Sequence, residues 1–354
     1  MNLKQVIDQL IDERGLDRPV LETLVRQSME AAYLKKYPNV TFAIHYDYAT
    51  GQLLIEALKE VVPVVQDADK QVSLKKARFL FKDTQPGQTI KVPFEGTIGR
   101  VEVMHAKQLL AQKIKAIEAT AVYNEFKDRR GEIIHGVFHK AQRGGFVVTL
   151  DDGTSAFLPS SHMSPLDRAV IGVSVRCLLF EVSADPLNEY QLILDRSSGD
   201  FVRKLMELEI PEIFEKIVQI KKIVRIAGYK SKVLVFSQDD NIDSVGTCVG
   251  IGGSRIKPIL NEISGEKIDI IAESDSLEQF IKDALKPAHI DRVQMIDDQN
   301  ARVWVDEEQR SYAIGKGGQN IALASRLVGL NIQLNQKDEQ RHSASLPEGV
   351  DDTW

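Results

Sequence analysis

An eight-residue block occurs twice in this chain. Val249-Gly250-Ile251-Gly252-Gly253-Ser254-Arg255-Ile256 is matched 65 residues later by Ile314-Gly315-Lys316-Gly317-Gly318-Gln319-Asn320-Ile321. Further on, Gly265 and Ile268 correspond to Gly329 and Ile332, with one residue deleted. Each copy reads as two strand patterns, the glycine block, a helical period and a third strand. Such a duplication constrains the fold to two small α+β modules in tandem, over residues 199–274 and 275–337. They abut. A helix opens the second near Asp275, with Glu278 three residues on as an N-terminal capping signal. With almost no linker, the modules are expected to pack as one rigid unit.

The glycine blocks also point to a ligand. A helix N-terminus presents unpaired N–H groups and the positive end of its dipole, and glycine lets a sugar–phosphate chain approach with no Cβ in the way. Gly250, Ile251, Gly252 and Gly253, with Arg255 and Lys257 just beyond, form one candidate phosphate grip. Gly315, Lys316, Gly317 and Gly318, with Gln319 and Asn320, form the other, and Lys316 places a charge inside the loop. A dinucleotide fingerprint fails in both copies, because Arg255 and Asn320 stand at the third glycine position, and no Walker A pattern occurs. One such loop is as easily an ordinary strand-to-helix turn. Two copies, each followed by a matched helix and strand, favour a shared backbone-gripping role.

Net charge tests that reading. The 354 residues carry 45 bases and 51 acids, a formal charge of −6, so bulk charge does not advertise nucleic acid. Between Lys216 and Asp239, however, Lys221, Lys222, Arg225, Lys230 and Lys232 occur with no acid among them. That is what a phosphate-tracking surface needs, and also what a plain solvated face looks like.

Upstream, residues 1–130 read as an α+β domain. A helical pattern starts directly at Met1, another runs from Asp17 and Pro19 to about Lys36, a hairpin turns at Ala49-Thr50-Gly51, and a long helix spans about Val101 to Lys127. Residues 131–198 change character. Five short strands (Ile133–Phe138, Gly145–Leu150, Ser155–Leu158, Ser174–Val182, Tyr190–Leu194) fit a small closed barrel. Residues 338–354 read as a polar, disordered tail.

Several features look chemical without amounting to chemistry. Cys177 and Cys248 form no CxxC pair and read as lone buried thiols. His135 and His139 lie in a strand with no acidic ligand near, so no metal is expected. Gly246-Thr247-Cys248-Val249-Gly250 has the spacing of a nucleophile elbow, but Asp239–Asp243 precedes it where a strand is required. Neither an enzyme nor a cofactor is expected. No apolar run reaches about 18 residues, and no signal peptide opens the chain, so a cytoplasmic protein without membrane contact is expected.

The barrel stretches Gly136-Val137-Phe138, Arg143-Gly144-Gly145-Phe146-Val147-Val148 and Ala156-Phe157-Leu158-Pro159 resemble the S1 family of OB folds. The resemblance implies base stacking at Phe146, with Phe138 and Arg143 beside it. Arg143 replaces a common aromatic, and Pro159 a common histidine. The glycine blocks are similar to the GXXG loops of KH domains, which clamp the backbone of about four nucleotides. An S1 barrel before two abutting type II KH domains, behind an α+β domain, resembles the NusA family of transcription factors. Val245–Gly250, Gly265–Ile270, Ala313–Leu327 and Glu209–Ile213 carry that resemblance, which covers residues 1 to about 337. It implies a multidomain α+β fold, docking of residues 1–130 on the RNA polymerase core, single-stranded nascent RNA held by the barrel and KH domains, other Nus factors as partners, and a monomer. Gly252 stands where the family often has a base, which implies a weaker first grip, and no acidic repeats follow residue 337 in this sequence. Two readings compete: a general RNA adaptor in ribosome assembly or RNA turnover, and a hydrolase acting through Cys248.

Overall fold

The computed structural model describes residues 17–47, 52–185, 189–239 and 241–336. The helical start at Met1, the turn at Ala49–Gly51 and the tail beyond residue 337 lie outside the described residues. The chain divides into two compact units, residues 1–121 with 185–187, and residues 122–184 with 188–354.

The first unit opens with helix α1 (Arg18–Lys36), whose proline in the first turn supplies a preset φ and needs no N–H partner. Its stripe of Leu21, Leu24, Val25, Ala32 and Tyr33 is buried. Strand β1 (Thr41–Asp47) pairs antiparallel with β2 (Gln52–Val62), as the alternation predicted. β2 also pairs with β3 (Gln71–Ser73), which leads into α2 (Leu74–Leu80), and with β4 (Thr89–Pro93). Tyr33, Tyr37, Phe42 and Phe94 lock helix to sheet edge-to-face, with centroids 5.0–6.4 Å apart. Helix α3 (Arg100–Phe126) packs Leu110, Ile114 and Ile117 on Leu21, Leu24 and Val25. The division into units falls inside α3, because Val122 and Phe126 at its end pack into the barrel core of the second unit.

That barrel is closed in the order β5 (Ile133–Gln142), β6 (Gly145–Leu150), β7 (Ser155–Pro159), β9 (Leu192–Asp195), β8 (Ser174–Val182). Leu150, Leu158, Leu179 and Leu192 fill it. Next come α4 (Gly199–Glu209) and α5 (Pro211–Phe214). The first repeat then consists of β10 (Val218–Ile226), β11 (Lys230–Ser237), α6 (Ser244–Val249), the first glycine loop, α7 (Ile256–Glu262) and β12 (Lys267–Ala272). After α8 (Leu277–Ala284), the second repeat has β13 (Arg292–Met295), β14 (Asn300–Val305), α9 (Glu307–Ile314), the second glycine loop, α10 (Gln319–Val328) and β15 (Asn331–Gln336). Both sheets pair their first two strands antiparallel and add the third in parallel. The cap of α8 is Ser276, whose hydroxyl accepts from the Gln279 N–H at 3.3 Å, one residue beyond the expected start at Asp275.

The sheet β10–β11–β12 is covered on both faces. Val218, Val233 and Val235 meet their own helices through Phe201, Leu205 and Cys248. Val224, Leu234 and Ile271 instead share a core with Ile281, Leu285, Ala324 and Leu327 of the second repeat. A continuous core is what a linker-free junction requires, and it fixes the two repeats as one body.

Candidate nucleic-acid interface

The two glycine loops have the same backbone geometry. Gly250 (φ 74°, ψ 166°) and Gly315 (φ 73°, ψ 177°) end α6 and α9, and Gly252 and Gly317 sit at φ 60° and 61°. In each copy the first glycine N–H closes the preceding helix on an equivalent carbonyl, Gly246 at 2.8 Å and Ser311 at 2.9 Å. A Cβ at Gly315 would fall 2.7 Å from the Cβ of Asn320, so only glycine fits there. At Gly252 and Gly317 the space is open. The loops differ at their tips: Ile251 is 97% exposed, while Lys316 is exposed and has no charge partner among the described residues.

Arg255 and Asn320, expected to touch the ligand, make bonds that hold the loops together. They occupy the same position of the repeat and do the same thing. Arg255 Nη1 donates to the Thr247 carbonyl at 2.7 Å, and Asn320 Nδ2 donates to the Tyr312 carbonyl at 3.2 Å, its equivalent. Asn320 also reaches the carbonyls of Ala313 and Leu285, and Arg255 pairs with Glu212 at 2.8 Å. Asn320 is 2% exposed; its Nδ2 is spent on carbonyls inside the protein, and its buried Oδ1 has no hydrogen-bond partner among the described residues. Lys257 is exposed with its stem along Gly253, and Gln319 opens α10 as a half-buried residue.

Four of the five bases in the basic run are ion-paired within the protein, while Lys222 is exposed with no acid partner among the described residues, so the run is not the continuous free stripe the sequence suggested. Arg225, 3% exposed at its side chain, is bound by Glu266, and its Nη1 donates to the carbonyls of Arg196 and Ser198. Lys230 and Lys232 both pair with Asp269, at 2.9 and 2.7 Å, and Lys232 is fully buried. Its burial pulls the ammonium pKa down against the opposing pull of Asp269. Lys221 pairs with Glu273, and Lys222 donates to the Leu327 carbonyl in the last turn of α10. The neutralising acids all lie on or next to β12, which pairs in register with β11 but is distant in sequence.

On the barrel, Phe138 is 4% exposed and belongs to the core. Phe146 is half-buried and turns inward, with its ring 5.7 Å from that of Phe138 at 73°. Phe138 is therefore buried and Phe146 part-exposed, whereas Arg143 is exposed. Outward-facing aromatics that sequence reasoning missed, Phe157 and Tyr190, stack with centroids 5.4 Å apart at 14°.

The Cys248 stretch is no nucleophile elbow, because residues 244–249 are helix α6. Burial pushes the Cys248 thiol up to about 12, so the thiolate nucleophile is missing at neutral pH. Among the described residues no group of side chains is arranged to hold a metal ion.

Residues 2–120 match the family profile of the NusA N-terminal domain, 196–273 that of the NusA-like first KH domain, and 277–342 that of the NusA-like second KH domain. The transcription termination/antitermination protein NusA of Rickettsia conorii is 33% identical over 353 residues, covering 96% of this chain and 68% of that one. The namesake from Thermus thermophilus is 31% identical over 94% of this chain and 89% of its own length. The chain belongs to the NusA family. Bacillus subtilis NusA, 28% identical, is likewise covered over 92% of its length. NusA is a family of transcription termination and antitermination factors, not of enzymes, and the closed five-stranded barrel and paired KH domains of this chain are its architecture. No helix among the described residues is long and apolar enough to cross a membrane.

Proposed function

We propose that this protein docks on the RNA polymerase core through residues 1–130 and holds single-stranded nascent RNA on its KH loops, thereby modulating pausing, termination and antitermination. It acts in the cytoplasm as a monomer alongside other Nus factors. The observation that carries this reading is the pair of glycine loops with matched dihedrals on one rigid body. Two weak backbone clamps at a fixed spacing bind one strand with an effective concentration that neither has alone. Docking on polymerase raises that concentration again beside the emerging transcript. The acidic chain, −6 overall, then needs no broad basic surface. The phosphate contacts fall to Lys316, Lys257 and the loop amides.

The test is the lifetime of a hairpin-stabilised pause by purified bacterial RNA polymerase, with and without the protein. A changed lifetime that disappears when residues 1–130 are removed supports the proposal. An unchanged lifetime alongside intact RNA binding favours a general RNA adaptor.

A further inference from the structure

The two KH domains carry the same outer sheet face in the same register. In the first domain, strand pairing aligns Lys222, Leu234 and Ile271 in one row and Val224, Lys232 and Asp269 in the next. The chain that follows covers this face: Ile281 and Leu285 of the α8 region and Leu327 of α10 share its core. Both lysines meet helix ends there. Lys232 Nζ donates to the Lys286 carbonyl just past α8 at 3.2 Å, and Lys222 Nζ to the Leu327 carbonyl at 3.0 Å. Asp269 supplies the carboxylate for Lys232 at 2.7 Å.

The second domain repeats these rows as Arg292, Trp304 and Asn335, then Gln294, Arg302 and Gln333. Both cations are kept, as arginines at the positions of Lys222 and Lys232. The acid is not kept: Gln333 stands where Asp269 stands. Arg302 is half-buried with no charge partner among the described residues, and its buried Nε has no hydrogen-bond acceptor. A buried donor left unmade costs free energy, so an acceptor is called for. Arg292, Gln294 and Gln333 are exposed, so among the described residues nothing covers this face as α8 and α10 cover its counterpart. The chain that follows β15 is residues 337–354, with Asp338, Glu339, Glu348, Asp351 and Asp352 against Lys337 and Arg341.

We infer that residues 337–354 lie across the outer sheet face of the second KH domain, with their carboxylates on Arg302 and Arg292. Each KH domain is then covered by the chain that follows it, and the acid missing at Gln333 comes from that chain. Charge complementarity selects this occupant. A second copy meeting the face would bring the same two arginines to it. RNA would find no open ring to stack on, because Trp304 is 7% exposed beneath the Arg292 guanidinium, 5.1 Å from the ring centroid. The reach suffices, since three strands about 4.8 Å apart make a face only ~10 Å wide and extended chain covers ~3.3 Å per residue. A tethered segment also binds at a high effective concentration, so two ion pairs are enough to hold it.

The test places photoreactive benzoylphenylalanine at position 294, on the strand farthest from β15, in the full chain without RNA. Irradiation is expected to crosslink it to residues 338–354 within one molecule. The yield is expected to fall about fivefold when the five acids become amides, and equally in Arg292→Gln with Arg302→Gln. Salt at 1 M, where the screening length is about 3 Å, is expected to lower it likewise. A yield that none of these changes moves is random collision of a tethered chain and overturns the inference. Crosslinks only between two molecules, or no crosslink at all, overturn it too. No crosslink within the chain, but one to single-stranded RNA once RNA is added, assigns the face to nucleic acid instead.

Discussion

At the scale of single residues, the buried Arg225–Glu266 pair of the first KH domain is structural. Arg225 and Glu266 have side chains 3% and 0% exposed, and Glu266 also accepts from the Gly228 N–H and the Ser231 hydroxyl. Removing one partner of such a pair leaves an uncompensated buried charge. Glu266→Gln is therefore expected to cost about 3–5 kcal/mol, read as a lower urea midpoint. An unmoved midpoint would return Arg225 to the candidate RNA contacts. The two thiols make a second prediction, with a pH sign. Burial pushes Cys177 and Cys248 up to about 12 from 9.0. Below pH 9 both thiols are protonated in the folded and unfolded chains, and the contribution to stability is whole. Between pH 9 and 12 the unfolded chain sheds protons that the fold retains, so this contribution falls as pH rises. Urea midpoints across that window are expected to fall less steeply in Cys248→Ala. At pH 8, a disulfide reagent is expected to label neither cysteine until urea unfolds the chain.

At the scale of elements, the glycine loops separate folding from binding. Gly252 and Gly317 have open space around them, and aspartate tolerates positive φ better than most residues. Gly317→Asp and Gly252→Asp should both fold, and each sets a carboxylate where a phosphate is proposed. Gly317→Asp is expected to weaken RNA binding more, because Lys316 serves the second loop while Ile251 tips the first. Equal losses in a filter-binding titration refute that ranking. Gly315→Ala is a contrast, since its Cβ meets Asn320 at 2.7 Å and its stability should fall first. These elements were legible in the sequence because glycine positions and strand alternation are local signals. Repeat order, barrel strands and the long helix all emerged from them. The fate of the basic run was not legible. Lys230 and Lys232 are answered by Asp269 through a parallel pairing that no local pattern encodes, and Lys221 on β10 by Glu273 from just beyond β12. The internal bonds of Arg255 and Asn320 were not legible for a related reason. Their equivalence was visible in the repeat, but their bonds to the carbonyls of Thr247 and Tyr312 depend on how the loop folds back on the preceding helix.

At the scale of the whole molecule, the RNA grip proposed for the second unit depends on the two KH domains moving as one. Two weak clamps add their free energies along one strand only while their spacing is fixed. Three features fix it: the core shared by Val224, Leu234 and Ile271 with the second domain, the Lys222 ammonium on the Leu327 carbonyl, and Tyr229, whose hydroxyl approaches Gly315 from the first domain. If the domains are one cooperative body, a cavity in the first must destabilise the second. Ile271 belongs to the first domain, yet it is 4% exposed in the shared core, and Trp304 reports from the second, 7% exposed under the Arg292 guanidinium. In a Trp354→Phe background, Ile271→Ala is expected to cost about 2–5 kcal/mol and to lower the urea midpoint seen by Trp304 fluorescence as far as that seen by circular dichroism. A Trp304 midpoint that stays put while the circular dichroism midpoint falls means domains that unfold separately. The loop spacing is then free to vary, and the avidity proposed for the nascent strand has no rigid frame to rest on.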